Sequence, residues 1–194
     1  MPGSRVKEVR MNLPTILEAV SQFGRAFEYL LPVAPTLDRQ FLQGHIGNRS
    51  IALVPDALAA LWHSRAGIIA SGTATVEAAM MSTPFVMVYR VSPLTYALGK
   101  PRVKTPHFAM VNLIAGKEVV RELVQHNFTV QNIVAELNRI VPDGPARDQM
   151  LNGLAMVKAN LRGASASDNL PAPVRAADIV LTLLPKSPAT PVLS

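Results

Sequence analysis

A phosphate-bearing ligand needs backbone N–H groups that can come close to it, and the run Ser71-Gly72-Thr73-Ala74-Thr75-Val76-Glu77 offers such groups. Gly72 lets the main chain approach a ligand without a Cβ in the way. A helix beginning near Thr73 presents unpaired N–H groups and the positive end of its dipole, and the Thr73 and Thr75 hydroxyls add neutral donors. Together these outline a diphosphate cradle. Glu77, about one turn in, can accept two hydrogen bonds from the vicinal hydroxyls of a ribose, a task suited to a carboxylate. An acidic side chain in a first helical turn is also favourable in its own right, by roughly 0.3 to 1 kcal/mol, so spacing alone leaves the ligand role and the helix-end role level.

Two further turns carry similar groups. Pro2-Gly3-Ser4-Arg5 places a Gly/Ser turn and a guanidinium just ahead of a helical stretch, and can hold a phosphate or be an ordinary loop. Tyr89-Arg90 and Asn112-Leu113-Ile114-Ala115-Gly116 set an Arg at a strand end and an amide in the next turn. That pair can read a base edge and a phosphate in either assignment, or be a surface Arg and a turn Asn. His45, His63, His107 and His126 lack metal-ligand spacing and no carboxylate pair suits two-metal work, so neither a metal nor another cofactor is expected. With no cysteine, disulfides, thiolate metal sites and a Cys nucleophile are excluded.

The elements that must position these turns read as successive βα units. FEYLLPVA (Phe27 to Ala34), SIALVP (Ser50 to Pro55), AGIIAS (Ala66 to Ser71), PFVMVYR (Pro84 to Arg90) and HFAMVN (His107 to Asn112) are short apolar runs of strand character. Between them lie helical stretches: one through TLDRQFLQGHI capped by Thr36, one through DALAALW capped by Asp56, the helix TATVEAAMM, and one starting at Ser92-Pro93. After Gly116 the pattern predicts helices only, over 118–125, 129–140, 147–162 and 175–184. Trp62 is expected in the core beside the Asp56 helix. This alternation predicts a doubly wound α/β lobe over residues 1–140, helices over 141–185 and a disordered tail over 186–194. Ligands of such sheets bind beyond the carboxyl ends of the strands, where the three turns fall.

Composition agrees with a compact lobe. The 194 residues are 49% hydrophobic and 16% charged, with few aromatics, which suits a buried sheet filled with aliphatic side chains. A net charge of +6 favours anionic partners, yet the basic residues are scattered and no aromatic-interleaved RNA-binding pattern is present, so nucleic acid is not expected. The absence of a spanning apolar stretch or signal-peptide plan predicts a cytoplasmic chain.

The stretch from Ala70 to Leu123, ASGTATVEAAMMSTPFVMVYRVSPLTYALGKPRVKTPHFAMVNLIAGKEVVREL, resembles the signature block of the lipid-A-disaccharide synthase family. PGSR followed by Glu8, and LPVAPTLD beyond it, resemble the start of that family's donor-binding lobe, so the likeness spans about residues 1–140. The resemblance implies a two-lobed, metal-independent GT-B glycosyltransferase whose Rossmann-like C-terminal lobe holds UDP. It implies transfer of diacylglucosamine from UDP-diacylglucosamine to diacylglucosamine 1-phosphate, giving lipid A disaccharide phosphate and UDP. By the same likeness Ser4 and Arg5 match the phosphate-side turn, Gly72 and Thr73 the helix start facing the diphosphate, Glu77 the ribose acid, and Arg90 and Asn112 cleft positions.

A full member carries an N-terminal lobe ahead of PGSR with much of the acceptor site and the expected general base; this chain is therefore expected to be inactive alone. The Val91 to Lys104 segment, apolar residues beside Lys100, Arg102 and Lys104, suits a peripheral position on an anionic inner-membrane surface. The helix from Arg175 to Leu184 is expected to self-associate. The alternatives are another UDP-sugar enzyme of this architecture, an epimerase or peptidoglycan glycosyltransferase, and a UDP-binding module without catalysis.

Overall fold

A computed structural model describes residues 1–24, 26–91, 106–162, 170 and 172–183. The chain forms two compact units, Met1–Asn160 and Leu161–Ser194. The first unit opens with α1 (Val6–Phe23) and continues through β1 (Tyr29–Pro32), α2 (Arg39–Ile46), β2 (Ile51–Val54), α3 (Ala57–His63), β3 (Gly67–Ala70), α4 (Ala74–Met80) and β4 (Phe85–Tyr89). It goes on with α5 (Met110–Ala115), β5 (Glu122–Val124), a 3-10 turn (Gln125–Asn127), α6 (Val130–Ile140) and most of α7 (Pro145–Arg162); α8 (Ala172–Leu183) lies in the second unit.

All strand pairs are parallel, β1 with β2 and β4 between β3 and β5. In β3 and β4 the two-residue period divides neighbours between opposite faces. Ile69, Phe85 and Met87 join Ala78, Ala79, Met150, Leu154 and Val157 on one side. Ile68, Ala70, Val86 and Val88 join Ile16 and Ala19 of α1 and Ile133 and Leu137 of α6 on the other. Helices thus cover both faces, which is why these strands read as unbroken apolar runs. In α1 the buried residues Val9, Leu13, Ile16 and Leu17 follow the 3.6-residue period, and Val9, Leu13 and Leu17 also pack on Leu31, Leu42 and Leu53 around β1 and β2.

Four expectations are corrected. HFAMVN holds no strand: residues from Met110 form α5, with Val111 and Asn112 buried while Met110 and Leu113 stand 39% and 43% exposed, and Gly116 ends it in a left-handed conformation. Conversely β5 lies inside the stretch expected to be the helix 118–125, because Met87 to Tyr89 of β4 offer it a parallel edge. Both are short apolar runs, which periodicity alone cannot assign. Thr36 does not cap α2; Asp38 does, accepting from Gln40 N at 2.7 Å, whereas the Thr36 hydroxyl donates to Ser4 O. Trp62 is 65% exposed, since the inward positions of α3 are taken by Ala60 and Leu61. Asp56 caps α3 as expected, through Leu58 N and Ala59 N. The helix start at Ser92-Pro93, the basic stretch from 92 to 104 and the tail 186–194 lie outside the described residues.

Candidate functional site

The turns singled out in the sequence emerge side by side, and backbone pairing makes them do so. Ala70 N donates to Met1 O at 2.8 Å, which sets the Pro2–Arg5 turn next to the end of β3, and Ser71 N donates to Val88 O at 3.0 Å, which sets the Gly72 turn next to the end of β4. Pro2–Arg5, Ser71–Thr73 and Arg90–Val91 therefore share the carboxyl-end rim of the sheet, the side on which parallel sheets take ligands.

At Gly72 the backbone takes φ +145, a conformation that L side chains rarely adopt, and a Cβ placed there would meet nothing within 4 Å. Thr75, Val76 and Glu77 already donate their N–H groups to Gly72 O or Thr73 O, but among the described residues nothing accepts from the N–H groups of Gly72, Thr73 or Ala74. Three successive N–H groups without a protein acceptor suit an oxyanion. Thr73 is exposed, whereas Thr75 is fully buried and its hydroxyl donates to Gly72 O at 2.8 Å. Only one of the two threonine hydroxyls expected at the cradle is thus available, and the other braces the glycine turn. The Glu77 carboxylate is half-buried and has no hydrogen-bond or ion-pair partner among the described residues.

The Pro2–Arg5 turn is held from α1. Asn12 Nδ2 donates to Pro2 O at 2.9 Å from a buried position, and the Asn12 Oδ1 is left without a partner. Glu8 accepts from Ser4 N at 3.1 Å, Arg5 N at 3.3 Å and Arg5 Nη1 at 2.9 Å, and it packs under Gly3, where a Cβ would meet Glu8 Oε2 at 2.6 Å. The donors that a phosphate would use therefore face a resident carboxylate, which an incoming anion must displace or accommodate. The Arg5 side chain is 81% exposed while it pairs with Glu8.

Arg90 and Asn112 have other employment. Arg90 donates through Nη1 to Thr15 Oγ1 at 3.1 Å and through Nη2 to Phe128 O at 2.6 Å, with its guanidinium 4.5 Å from the centre of the Phe128 ring. It ties α1 to the segment after β5, with one N–H of each terminal nitrogen spent on those contacts. Asn112 is fully buried. Its Oδ1 accepts from Val119 N at 2.8 Å and Val120 N at 3.0 Å, and its Nδ2 donates to Val120 O at 2.9 Å and Glu122 Oε1 at 2.8 Å. All four amide positions are spent on protein, so no base edge can reach them here.

Glu122 was not singled out in the sequence. Its carboxylate accepts from Phe108 N at 2.8 Å, Ala109 N at 3.0 Å and Asn112 Nδ2, and lies 3.7 Å from His107 Nδ1. The loop it grips reaches the Gly72 turn, for Ser71 Oγ donates to Phe108 O at 3.0 Å, and Phe108 stacks on Tyr89 at 6.0 Å. One half-buried carboxylate thus holds the 107–109 segment that Ser71 touches. A Glu within a stretch of helical composition carries no signal of this. Among the described residues no group of three or more His, Cys, Asp or Glu side chains is placed to hold a metal, and no helix is long and apolar enough to cross a membrane.

Residues 1–167 match the family model described as Lipid-A-disaccharide synthetase. Similar curated proteins include the lipid-A-disaccharide synthases of Koribacter versatilis, 50% identical over 94% of this chain and 48% of the relative, and of Acidobacterium capsulatum, 49% identical over 83% and 44%. That of Myxococcus xanthus is 36% identical over 95% of this chain and 48% of the relative. The chain spans about half the length of the curated relatives it matches.

Proposed function

We propose, from the premise that this chain belongs to the lipid-A-disaccharide synthetase family, that it is the donor-holding part of a glycosyltransferase that moves diacylglucosamine from its UDP carrier to diacylglucosamine 1-phosphate. What carries the reading is the set of three unspent N–H groups at Gly72, Thr73 and Ala74 beside a ladder that brings the Ser4–Arg5 turn to the same rim. The diphosphate takes those amides and the Arg5 guanidinium, Thr73 adds its hydroxyl, and the unpartnered Glu77 carboxylate takes the ribose hydroxyls. Arg90 and Asn112 act indirectly, as positioning residues that hold α1 and the α5 loop against the sheet.

As the sugar–phosphate bond breaks, negative charge grows on the departing UDP. Oriented amides and a guanidinium stabilise that charge without having to reorganise. The acceptor hydroxyl requires a base within hydrogen-bond reach. We assign that base and the acceptor's contacts to the half of the relatives that this chain does not span. The anionic membrane surface that presents the acylated substrates is the expected place of work, reached peripherally.

Calorimetry with UDP, paired with an assay for disaccharide formation, tests the reading. These 194 residues are expected to bind UDP without turnover. Glu77→Ala is expected to weaken UDP by roughly 10- to 100-fold, the equivalent of a charge-assisted pair of hydrogen bonds. Unchanged affinity in that variant removes the ribose assignment, and no UDP binding by the parent chain removes the donor-site reading.

A further inference from the structure

The backbone of the Pro2–Arg5 turn is largely committed to protein. Pro2 O accepts from Asn12 Nδ2, Ser4 O from the Thr36 hydroxyl, and Arg5 O from Val9 N at 3.0 Å. Ser4 N and Arg5 N both donate to one oxygen of Glu8, Oε2. Gly3, at φ +120, packs so closely on the same side chain that a Cβ there would meet Glu8 Cβ at 2.8 Å. A Glu at the third position of a helix that reaches back to the N-cap N–H is a capping box, and this accounts for Oε2.

It does not account for the second oxygen. Glu8 Oε1 accepts from Arg5 Nη1 at 2.9 Å, and from nothing else among the described residues. The two oxygens therefore have separate tasks, one on the backbone and one on a guanidinium. The second contact is the weaker hold, because its side chains are 81% and 37% exposed and water and salt screen such a pair. A diphosphate offers the same guanidinium two oxygens at once and a larger charge. The bond that a nucleotide has to take over is thus the one Glu8 gives up most readily, and losing it leaves the turn folded.

We propose, resting on the donor-site reading, that Glu8 is a positioning residue for the diphosphate. Its Oε2 keeps the turn folded throughout, while its Oε1 holds the Arg5 guanidinium and hands it to the incoming anion. Arg5 has the carboxylate as partner before the nucleotide arrives and the diphosphate afterwards. Glu8 therefore supports the site through one oxygen and competes with the ligand through the other, which weakens UDP binding and favours its release.

Calorimetry with UDP on the 194-residue chain and on its Glu8→Gln, Arg5→Ala and doubly changed variants tests this. A Gln oxygen keeps the two backbone N–H groups, whereas the Gln NH₂ offers no acceptor to the guanidinium. Glu8→Gln is expected to tighten UDP about two- to fivefold at low salt, with the melting temperature within about 4 °C of the parent's and the gain shrinking as salt rises. In the Arg5→Ala background the same change is expected to leave UDP affinity unaltered. A Glu8 that only caps the helix predicts unchanged or weaker binding in both backgrounds, and one that only repels the anion predicts an equal gain in both. Either result overturns the proposal and leaves the donor site standing; no UDP binding by the parent chain overturns both. In the unaltered chain, UDP is expected to shift the NMR signals of the Arg5 guanidinium while amide exchange at Ser4 and Arg5 stays the same. Faster exchange there on adding UDP means that the carboxylate leaves the turn, and overturns the division between its oxygens.

Discussion

Asn112 and Glu77 show how differently two polar side chains near one rim are used. Asn112 is sealed, with its amide nitrogen 2.8 Å from a carboxylate oxygen of Glu122. Asn112→Asp replaces two donated hydrogen bonds with a carboxylate facing another, and is expected to cost about 3 kcal/mol or more in chemical denaturation, with part of the loss recovered at low pH as one carboxyl takes a proton. A ligand-facing Asn at a solvated rim would lose affinity from the same change and little stability. Trp62 supplies the opposite case: exposed on α3, it is expected to tolerate Trp62→Ala within roughly 0.5 kcal/mol in the same titration.

At the scale of elements, β5 and α5 are one device. Glu122 on β5 caps the loop that leads into α5, and Asn112 on α5 reaches back to the backbone just before β5. Glu122→Ala orphans two backbone N–H groups and the Asn112 amide, which predicts a loss of about 3 kcal/mol and a weaker UDP complex, since the 106–109 loop braces Ser71. Glu122→Gln keeps an acceptor and is expected to cost about a third as much; equal losses in the two variants would point to the charge alone. The turn into α7 depends on an exposed pair, Arg65 with Asp143, in which the Arg65 hydrogen bond holds the Asp143 carboxyl below its ordinary 3.8. A carboxyl lowered in this way contributes above that value and ceases to as pH falls through the folded pKa. Salt is expected to weaken the contribution across the range.

For the whole molecule, α8 of the second unit leaves Ile179, Val180, Leu181 and Leu183 between 57% and 78% exposed. An apolar helix face of this kind drives association, so light scattering is expected to give a mass that climbs with concentration, and the double change Ile179→Lys with Leu183→Lys is expected to abolish the climb. A mass independent of concentration in the parent chain would contradict it.

Much was legible in the residues themselves, because it depends on local rules. β3 and β4 are runs whose every side chain meets a helix on one face or the other, and that reads as unbroken apolar sequence. Gly72 can take its positive φ without a Cβ to clash, and Asp56 caps the helix that follows it directly. The rest is decided by partners remote along the chain. Arg90 is spent on Thr15, 75 residues away, and the Met1 nitrogen on Ile68, 67 residues away, so neither use leaves a mark on its neighbours. HFAMVN and the residues around β5 are equally able to be strand or helix, and the free edge of β4 chooses between them. Local sequence sets what a segment can be; hydrogen-bond and burial partners brought by the fold set which of those it becomes, and which polar groups at the rim are left for a ligand.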